Sequence, residues 1–296
     1  MKQFKSTLLL LMTAMIWGFA FVAQRAGSEF LGAFAFNGLR FVLGATSLIP
    51  VILIFEREER NRAKFKKTVL TASLAGVILF TASTLQQFGI VITQSAGKAG
   101  FITGLYMIIV PIASLILFRR KTNLLTWLGA ACAVVGLYLL CINEREPAGW
   151  GEAVLLIGSF FWAAHIMVID RFVEQISPIK FASVQFYVCG ILSLICSAFT
   201  EQTTISAVQS ALIPFLYSGL MSVGVAYTCQ IIGQKHADPT FASIILSTES
   251  VFAAIGGAIL MNETMTARGY IGCVIIFIGI ILAQLKPNKS EHSIQA

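Results

Sequence analysis

Apolar residues form long, nearly uninterrupted runs along this chain, and short polar stretches separate the runs. A helix needs about 17 to 25 mainly apolar residues to cross the hydrocarbon core of a bilayer. Ten segments fit this length: 7–25, 34–55, 69–92, 96–118, 124–141, 150–172, 180–199, 211–234, 240–260 and 267–285. The pattern therefore predicts an all-α integral membrane protein with ten transmembrane helices, numbered here in chain order as spans one to ten.

The first apolar run follows two lysines, as the apolar core of a signal peptide would. We interpret it instead as the first membrane helix, because its apolar stretch from Thr7 to Ala23 is longer than a typical signal core. In addition, no globular domain that would need export follows it.

The positive charges between the spans predict the orientation of the chain. If the N-terminus is cytoplasmic, the inner segments contain sixteen Lys and Arg residues and the outer segments contain four. Such an excess is typical of cytoplasmic loops. We therefore expect both termini to be cytoplasmic, with 286–296 as a cytoplasmic tail.

Composition agrees with a membrane protein and excludes several other classes. Hydrophobic residues make up 57% of the chain and charged residues 12%, whereas soluble domains contain about 25% charged residues. Mean hydropathy is +0.82. The net charge of +7 comes from short basic runs between spans, so we expect no nucleic-acid partner. All six cysteines lie in apolar segments without metal-ligand spacing, so no disulfide framework, metal or cofactor is expected.

Similar segments recur in the two halves of the chain. TWLGAACAVVGLYLL (126–140) and GYIGCVIIFIGIILA (269–283) each place two glycines seven residues apart behind an aromatic residue. LRFVLGATSL (39–48) resembles the segment that begins 145 residues later. The chain thus divides into two five-span repeats, 7–141 and 150–285. Because five is odd, the repeats insert in opposite directions, an arrangement typical of secondary transporters with substrate sites near the midplane.

The order of these motifs resembles that of the drug/metabolite transporter superfamily, specifically its EamA-type ten-span members. The landmarks, besides the glycine pairs, are Trp17-Gly18, Arg40, Pro111, Glu249 followed by Ser-Val-Phe-Ala, and Asn262-Glu263-Thr264. The resemblance implies a carrier of amino acids, metabolites or drugs in the plasma or inner membrane, often an exporter, with a central cavity between the repeats. Ser250 stands where relatives often have proline, which leaves span nine free to stay straight.

Two charged residues lie well away from the ends of their spans, and a centred charge costs about 2.5–3.5 kcal/mol on insertion scales. Glu249 is near the middle of span nine, and the matching stretch of the first repeat, 109–111, is uncharged. Glu249 could couple transport to protons or bind a cation, or it could be a structural carboxylate that is paired or kept protonated by burial. Arg40 lies about 9 Å inside the outer boundary. It could bind a substrate carboxylate, counter a buried acid, or snorkel to the outer headgroups.

Polar side chains within other spans are further candidates. His165 shares a helix face with Trp162 and could exchange protons near neutral pH, or it could be a hydrogen-bonded structural residue. Gln86, Gln87 and Gln230 could orient a polar substrate or join neighbouring helices. Adjacent residues point about 100° apart on a helix, so Gln86 and Gln87 cannot line one cavity equally.

Aromatic residues within spans could form the wall of a ligand cavity or pack in the core. They are Trp17, Tyr106, Trp162 and Tyr227. Lys98, at the outer end of span four, could bind an anion or anchor the helix at the surface. Pro111 should bend span four, because it cannot donate a hydrogen bond to the carbonyl group of Met107.

Together these observations predict a secondary active transporter that moves a small metabolite by alternating access, an exporter coupled to protons or to exchange. Its expected partners are the lipid bilayer, a small-molecule substrate and protons, and the expected state is a monomer or homodimer. A channel or receptor is the alternative. A membrane-embedded enzyme is less favoured, because the sequence has no HExxH, Gly-x-Ser-x-Gly or Walker lysine motif. We therefore expect no enzyme activity and no catalytic residues.

Overall fold

The computed structural model describes residues 2–56, 62–94, 96–119, 123–141, 149–261 and 266–284, which form helices and no strand. The helices are α1 (Lys2–Gly27), α2 (Ala33–Ser47), α3 (Ile49–Phe55), α4 (Arg62–Thr93), α5 (Ala96–Gly104), α6 (Tyr106–Phe118), α7 (Leu124–Cys141), α8 (Trp150–Phe172), α9 (Pro178–Thr200), α10 (Ile205–Ser210), α11 (Leu212–Leu216), α12 (Thr228–Gln234), α13 (Pro239–Leu246), α14 (Glu249–Met261) and α15 (Ala267–Gln284). A 3₁₀ turn, Val173–Gln175, follows α8, and a π-helix, Tyr217–Tyr227, joins α11 to α12.

Eight helical segments in the described part of the chain are long and apolar enough to cross a membrane. They coincide with all predicted spans except five and ten, where two shorter apolar helices lie at Leu124–Leu139 and Ala267–Ala283. Large apolar side chains point outward, such as Ile116 and Phe199, which are 70% and 86% exposed. Exposure of this apolar surface to water would be unfavourable in free energy, whereas contact with lipid would not be. The prediction of an all-α membrane protein is confirmed, whereas the count of ten spans stays a prediction.

The helices α7 and α15 pack against each other through the glycine pairs found in the sequence. A β-carbon on Gly129 would lie 2.5 Å from the carbonyl oxygen of Gly279, and one on Gly136 would lie 2.6 Å from that of Gly272. The first glycine of each helix thus faces the second glycine of the other, so the two helices are antiparallel. Glycine is required at these positions because the backbones touch.

The helices α2 and α9 are also antiparallel, and a glutamate caps one helix at each end of the pair. Glu201, after the end of α9, accepts hydrogen bonds from the backbone N–H groups of Phe34 and Ala35 at 2.9 and 2.7 Å. Glu56, after the end of α3, accepts two from the first turn of α9 at 3.1 and 2.9 Å. Carboxylates suit these positions because the first N–H groups of a helix lack partners and carry partial positive charge.

Span nine consists of two helices, α13 and α14, which are separated at Ser247 and Thr248. The Ser247 hydroxyl donates to the carbonyl oxygen of Ile244 at 2.8 Å, and the Thr248 hydroxyl donates to that of Ile245 at 2.6 Å. These hydroxyl groups compete with backbone N–H groups for the carbonyls of the helix. Span nine is thus interrupted without a proline, because the serine and threonine that precede Glu249 favour a turn, and whether the span stays straight there is left as a prediction.

Span four is interrupted as well, at Leu105 between α5 and α6. Pro111 lies inside α6, so the interruption comes six residues before it, and a bend at Pro111 itself stays a prediction. The second helices of the two interrupted spans begin at Tyr106 and Glu249, 143 positions apart, which is also the spacing of Gly129 and Gly272. In this alignment Tyr106 is the counterpart of Glu249, whereas the sequence places 109–111 opposite Glu249, and that correspondence stays a prediction.

Candidate functional site

A buried cavity of about 20 Å³ lies where the interrupted spans meet. Its volume corresponds to roughly one water molecule. The lining side chains come from both predicted repeats: Trp17, Phe21, Gln24, Arg40, Gln86, Thr103, Tyr106, Trp162, Ser222, Tyr227 and Glu249. Seven of the eleven candidates predicted from the sequence thus surround one cavity, and we call it the central cavity.

Tyr106 and Glu249 join the two interrupted spans inside this cavity. The Tyr106 hydroxyl donates a hydrogen bond to Glu249 Oε1 at 3.2 Å, and both side chains are buried. Each residue is the first of its helix, α6 or α14. The hydroxyl of Tyr106 therefore supplies a hydrogen bond to the acid group at this depth.

Three aromatic rings from different helices form one wall of the central cavity. The centroid of Tyr227 lies 4.6 Å from that of Trp17 and 6.2 Å from that of Trp162. The Trp17 indole N–H donates to the carbonyl oxygen of Ser222 at 3.3 Å. The indole Nε1 of Trp162 is buried and has no hydrogen-bond partner in the structure. The wall therefore offers apolar contact and one unused donor.

The Arg40 side chain is fully buried and points into the protein, so the alternative that it snorkels to the headgroups is wrong. Its Nε donates to Asn37 Oδ1 at 2.9 Å, and Asn37 Nδ2 donates to the Ser83 carbonyl oxygen at 3.0 Å. The guanidinium carbon lies 4.9 Å from the ring centroid of Phe41. Nη2 has no hydrogen-bond partner, and within the described residues no carboxylate forms an ion pair with Arg40.

Gln24 connects the two adjacent glutamines of span three to α1. Its Oε1 accepts from Gln86 Nε2, and its backbone carbonyl oxygen accepts from Gln87 Nε2, both at 3.3 Å. Gln86 lines the central cavity, whereas Gln87 points away from it into the protein interior. This agrees with the expectation that neighbouring positions on a helix cannot share one cavity.

The remaining candidates lie behind the cavity wall or outside the described side chains. His165 Nε2 is 3.0 Å from Gln185 Oε1, and its ring meets those of Trp162 and Tyr227 edge-on. His165 thus supports the aromatic wall from behind. Gln230 is buried away from the central cavity. The side chain of Lys98 lies outside the described part of the structure. Roles for these residues in binding or coupling stay predictions.

Four lining residues were missed by sequence reasoning: Phe21, Gln24, Thr103 and Ser222. Phe21 and Gln24 follow Trp17 by four and seven positions, so helical periodicity could have identified them. Thr103 precedes Tyr106 by three positions, across the interruption at Leu105. Ser222 precedes Tyr227 by five positions, and this spacing places two residues on one face only in a π-helix, which the sequence pattern does not reveal.

The site has no arrangement that suggests a metal centre. Within the described ranges, no group of three or more His, Cys, Asp or Glu side chains is placed to hold a metal ion. The central cavity contains one carboxylate and one guanidinium group.

Comparison with known proteins identifies similar membrane proteins. The EamA-like transporter family matches twice, over residues 4–142 and 149–285. An uncharacterized transporter of Archaeoglobus fulgidus is 26% identical over 285 residues, covering 96% of this chain and 87% of the relative. The uncharacterized transporter YoaV of Bacillus subtilis is 24% identical, with coverage of 90% and 92%. The uncharacterized inner membrane transporter YedA of Escherichia coli K12 is 22% identical, with coverage of 91% and 87%.

A solved crystal structure shares the fold. It matches with a TM-score of 0.78 at 17% sequence identity, covering 94% of this chain and 96% of the other. At this identity the likeness concerns the fold alone. The relatives, the family match and the apolar helices together describe a multi-pass protein of the cell membrane.

Proposed function

Because the chain belongs to the EamA-like transporter family, we propose that it is a secondary active carrier that moves a small metabolite across the cell membrane by alternating access. In this proposal it is an exporter, and the driving force is a proton gradient or exchange with a second solute. Membership of a transporter family supports the transport function. The proposed direction rests on the family resemblance, and the proposed coupling rests on Glu249.

The observation that carries the proposal is the meeting of two interrupted spans at the Tyr106–Glu249 hydrogen bond. Interrupted helices commonly form transporter sites, because their free backbone groups lie near the middle of the membrane. The hydrogen bond between Tyr106 and Glu249 can break or reform when a proton or a substrate reaches Glu249. Because the central cavity holds roughly one water molecule, a larger substrate requires the two interrupted spans to separate.

The helix pairs support the proposed ten-span inverted repeat. The pairs α2 with α9 and α7 with α15 are both antiparallel, and each places corresponding segments of the two halves against each other. Two copies of one fold that insert in opposite directions would pack in this way. In the same proposal α7 and α15 are the fifth and tenth spans, both termini are cytoplasmic, and 7–141 and 150–285 are the repeats.

A binding screen followed by counterflow tests the carrier. Purified protein is first screened by thermal shift against amino acids, sugars, nucleosides and organic cations. Any compound that raises the unfolding temperature is then loaded into proteoliposomes, and uptake of a labelled trace is followed. We expect saturable counterflow, in which internal substrate drives transient accumulation of the label. Flux that grows linearly with concentration and lacks counterflow would identify a channel instead.

Replacement of Glu249 by glutamine tests proton coupling. The amide keeps the size of the side chain and its acceptor for the Tyr106 hydroxyl, but it cannot release a proton. We expect Glu249→Gln to abolish transport driven by a pH gradient while counterflow continues. Glu174→Gln, at an exposed position after α8, is the matched control and should behave as the wild type. If Glu249→Gln retains full proton-driven transport, the coupling role is wrong.

A further inference from the structure

We propose that Arg40 is an anion subsite that binds a carboxylate group of the transported molecule, so that the substrate is an amphipathic monocarboxylate. The inference rests on the proposed carrier function and names its substrate class. It starts from the polar atoms that the protein leaves without partners around the central cavity.

Two nitrogen donors that line the central cavity have no acceptor. They are Nη2 of Arg40 and Nε1 of Trp162, both buried, and the Thr103 hydroxyl of the same lining is also buried without a partner. Buried polar atoms in folded proteins are nearly always hydrogen-bonded. Guanidinium and indole nitrogens can donate hydrogen bonds but cannot accept them. A molecule that completes this site therefore brings acceptor atoms to both donors.

The charge of the cavity lining favours a carboxylate over other acceptors. Arg40 is the one cationic side chain among the lining residues, and within the described residues it forms no ion pair. An uncompensated buried charge is costly, and an anion of one charge removes that cost. Glu249 is already hydrogen-bonded to Tyr106 in the same cavity. When Glu249 carries its proton, a monocarboxylate neutralises the charge of Arg40, whereas a phosphate dianion leaves an excess of negative charge, so a monoanion fits better.

The surroundings of Arg40 hold its guanidinium group in one orientation. Asn37 accepts the hydrogen bond from Nε and is itself held by the Ser83 carbonyl oxygen, while the Phe41 ring lies 4.9 Å from the guanidinium carbon. The planar group is thus fixed with Nη2 unused. Arginine binds carboxylates well because its donors lie in one rigid plane.

The aromatic wall supplies the other half of the recognition. The cavity is lined by three aromatic side chains whose rings contact one another: Trp17, Trp162 and Tyr227. An apolar portion of the substrate can pack on these rings while its acid group reaches Arg40, which explains why the inferred molecule is amphipathic. A small, fully polar acid would gain less from this wall.

Matched ligands and variants test the inference. The probes are leucine with leucinamide, 3-phenylpropionate with its amide, and phenyl phosphate, each measured by thermal shift and titration. The variants are Arg40→Met, which keeps an apolar stem of similar length, and Arg40→Lys, which keeps the charge. Arg171→Met, at an exposed position near the end of α8, is the control for loss of a cation.

We expect carboxylates, but not their amides, to stabilise the wild type and Arg171→Met. Arg40→Met should weaken carboxylate binding at least about tenfold, since a hydrogen-bonded charge is lost, and Arg40→Lys should bind with intermediate affinity. The empty Arg40→Met protein should unfold close to the wild-type temperature, because removal of an unpaired buried charge offsets the lost hydrogen bond to Asn37.

Several outcomes would overturn the inference. One is an Arg40→Met protein that fails to fold or unfolds far below the wild-type temperature when empty, because this shows that Arg40 has a structural role. Another is a wild type that responds to the amides or to phenyl phosphate as strongly as to the carboxylates, or to no carboxylate at all. A neutral or cationic substrate with saturable counterflow overturns the subsite but leaves the carrier intact, whereas binding without counterflow contradicts the carrier itself.

Discussion

Tyr106 and Glu249 show how single residues decide the character of the central cavity. One is the first residue of α6 and the other is the first residue of α14, and a hydrogen bond of 3.2 Å joins them. The phenolic hydroxyl supplies a hydrogen bond that a carboxyl group at this depth would otherwise lack. A hydrogen bond as well as packing thus joins the two interrupted spans.

Replacing Tyr106 by phenylalanine should lower transport about fivefold, since it removes one buried hydrogen bond worth about 1 kcal/mol. The ring still fills its space, so the unfolding temperature should change little. Initial rates of counterflow and thermal melts provide the measurements. Tyr187→Phe is the matched control, because it removes a hydroxyl contact with Thr46 at 3.1 Å that lies outside the central cavity. Equal loss of transport in both variants would contradict a special role for Tyr106.

The sequence predicted several residues of the site and missed others for identifiable reasons. Arg40 and Glu249 stand out because charges inside apolar spans are costly, and the structure places both at the central cavity. Ser222 does not stand out, because small polar residues are common in membrane helices and its position depends on a π-helix. The choice between functional and structural roles for Arg40 depended on whether its donors have partners, and only tertiary structure contains that information.

At the scale of helices, glycine positions set how closely α7 and α15 approach. Gly129→Ala would place a methyl group 2.5 Å from the carbonyl oxygen of Gly279, so the helices must separate. We expect a loss of about 1–3 kcal/mol in stability, measured by thermal or detergent denaturation. Gly149→Ala is the control, since a β-carbon there would meet its first neighbour at 3.5 Å. A variant at Gly129 as stable as that control would refute the close packing.

The glutamate caps of α2 and α9 make a second prediction at this scale. Removal of the Glu201 or Glu56 side chain leaves two backbone N–H groups without their carboxylate, so each alanine variant should lose about 0.5–2 kcal/mol. The caps lie at opposite ends of the helix pair, so the double variant should show additive losses. Exposed Glu29→Ala is the control in thermal melts. Losses well below additivity would show that the two caps are coupled.

At the scale of the whole molecule, the two interrupted spans cross closely near Gly100 and Ser250. A β-carbon on Gly100 would lie 3.6 Å from that of Ser250, within the usual range for a disulfide. Cysteines at both positions, in a protein whose six native cysteines are replaced by alanine, should therefore cross-link under oxidation. If alternating access separates these spans, cross-linking should stop counterflow and a reductant should restore it.

Each single-cysteine variant under the same oxidant controls for chemical damage, and counterflow there should persist. Gel mobility after proteolytic cleavage between the two spans measures the cross-link. A fully cross-linked protein that transports at the wild-type rate would show that the crossing does not move. Substrates would then have to reach the central cavity by another path.

The sequence alone determined the membrane class, the positions of the apolar segments and the internal similarity, because these follow from hydropathy and periodicity along one chain. It also singled out the glycine pairs and Glu249. Only the tertiary structure decided that the glycine pairs face each other, that spans four and nine are interrupted, and that Tyr106 meets Glu249. These features depend on contacts between residues more than 130 positions apart and on competition between hydroxyl and N–H groups for single backbone carbonyls. Neither these long-range contacts nor this competition can be read from a pattern of apolar and polar positions.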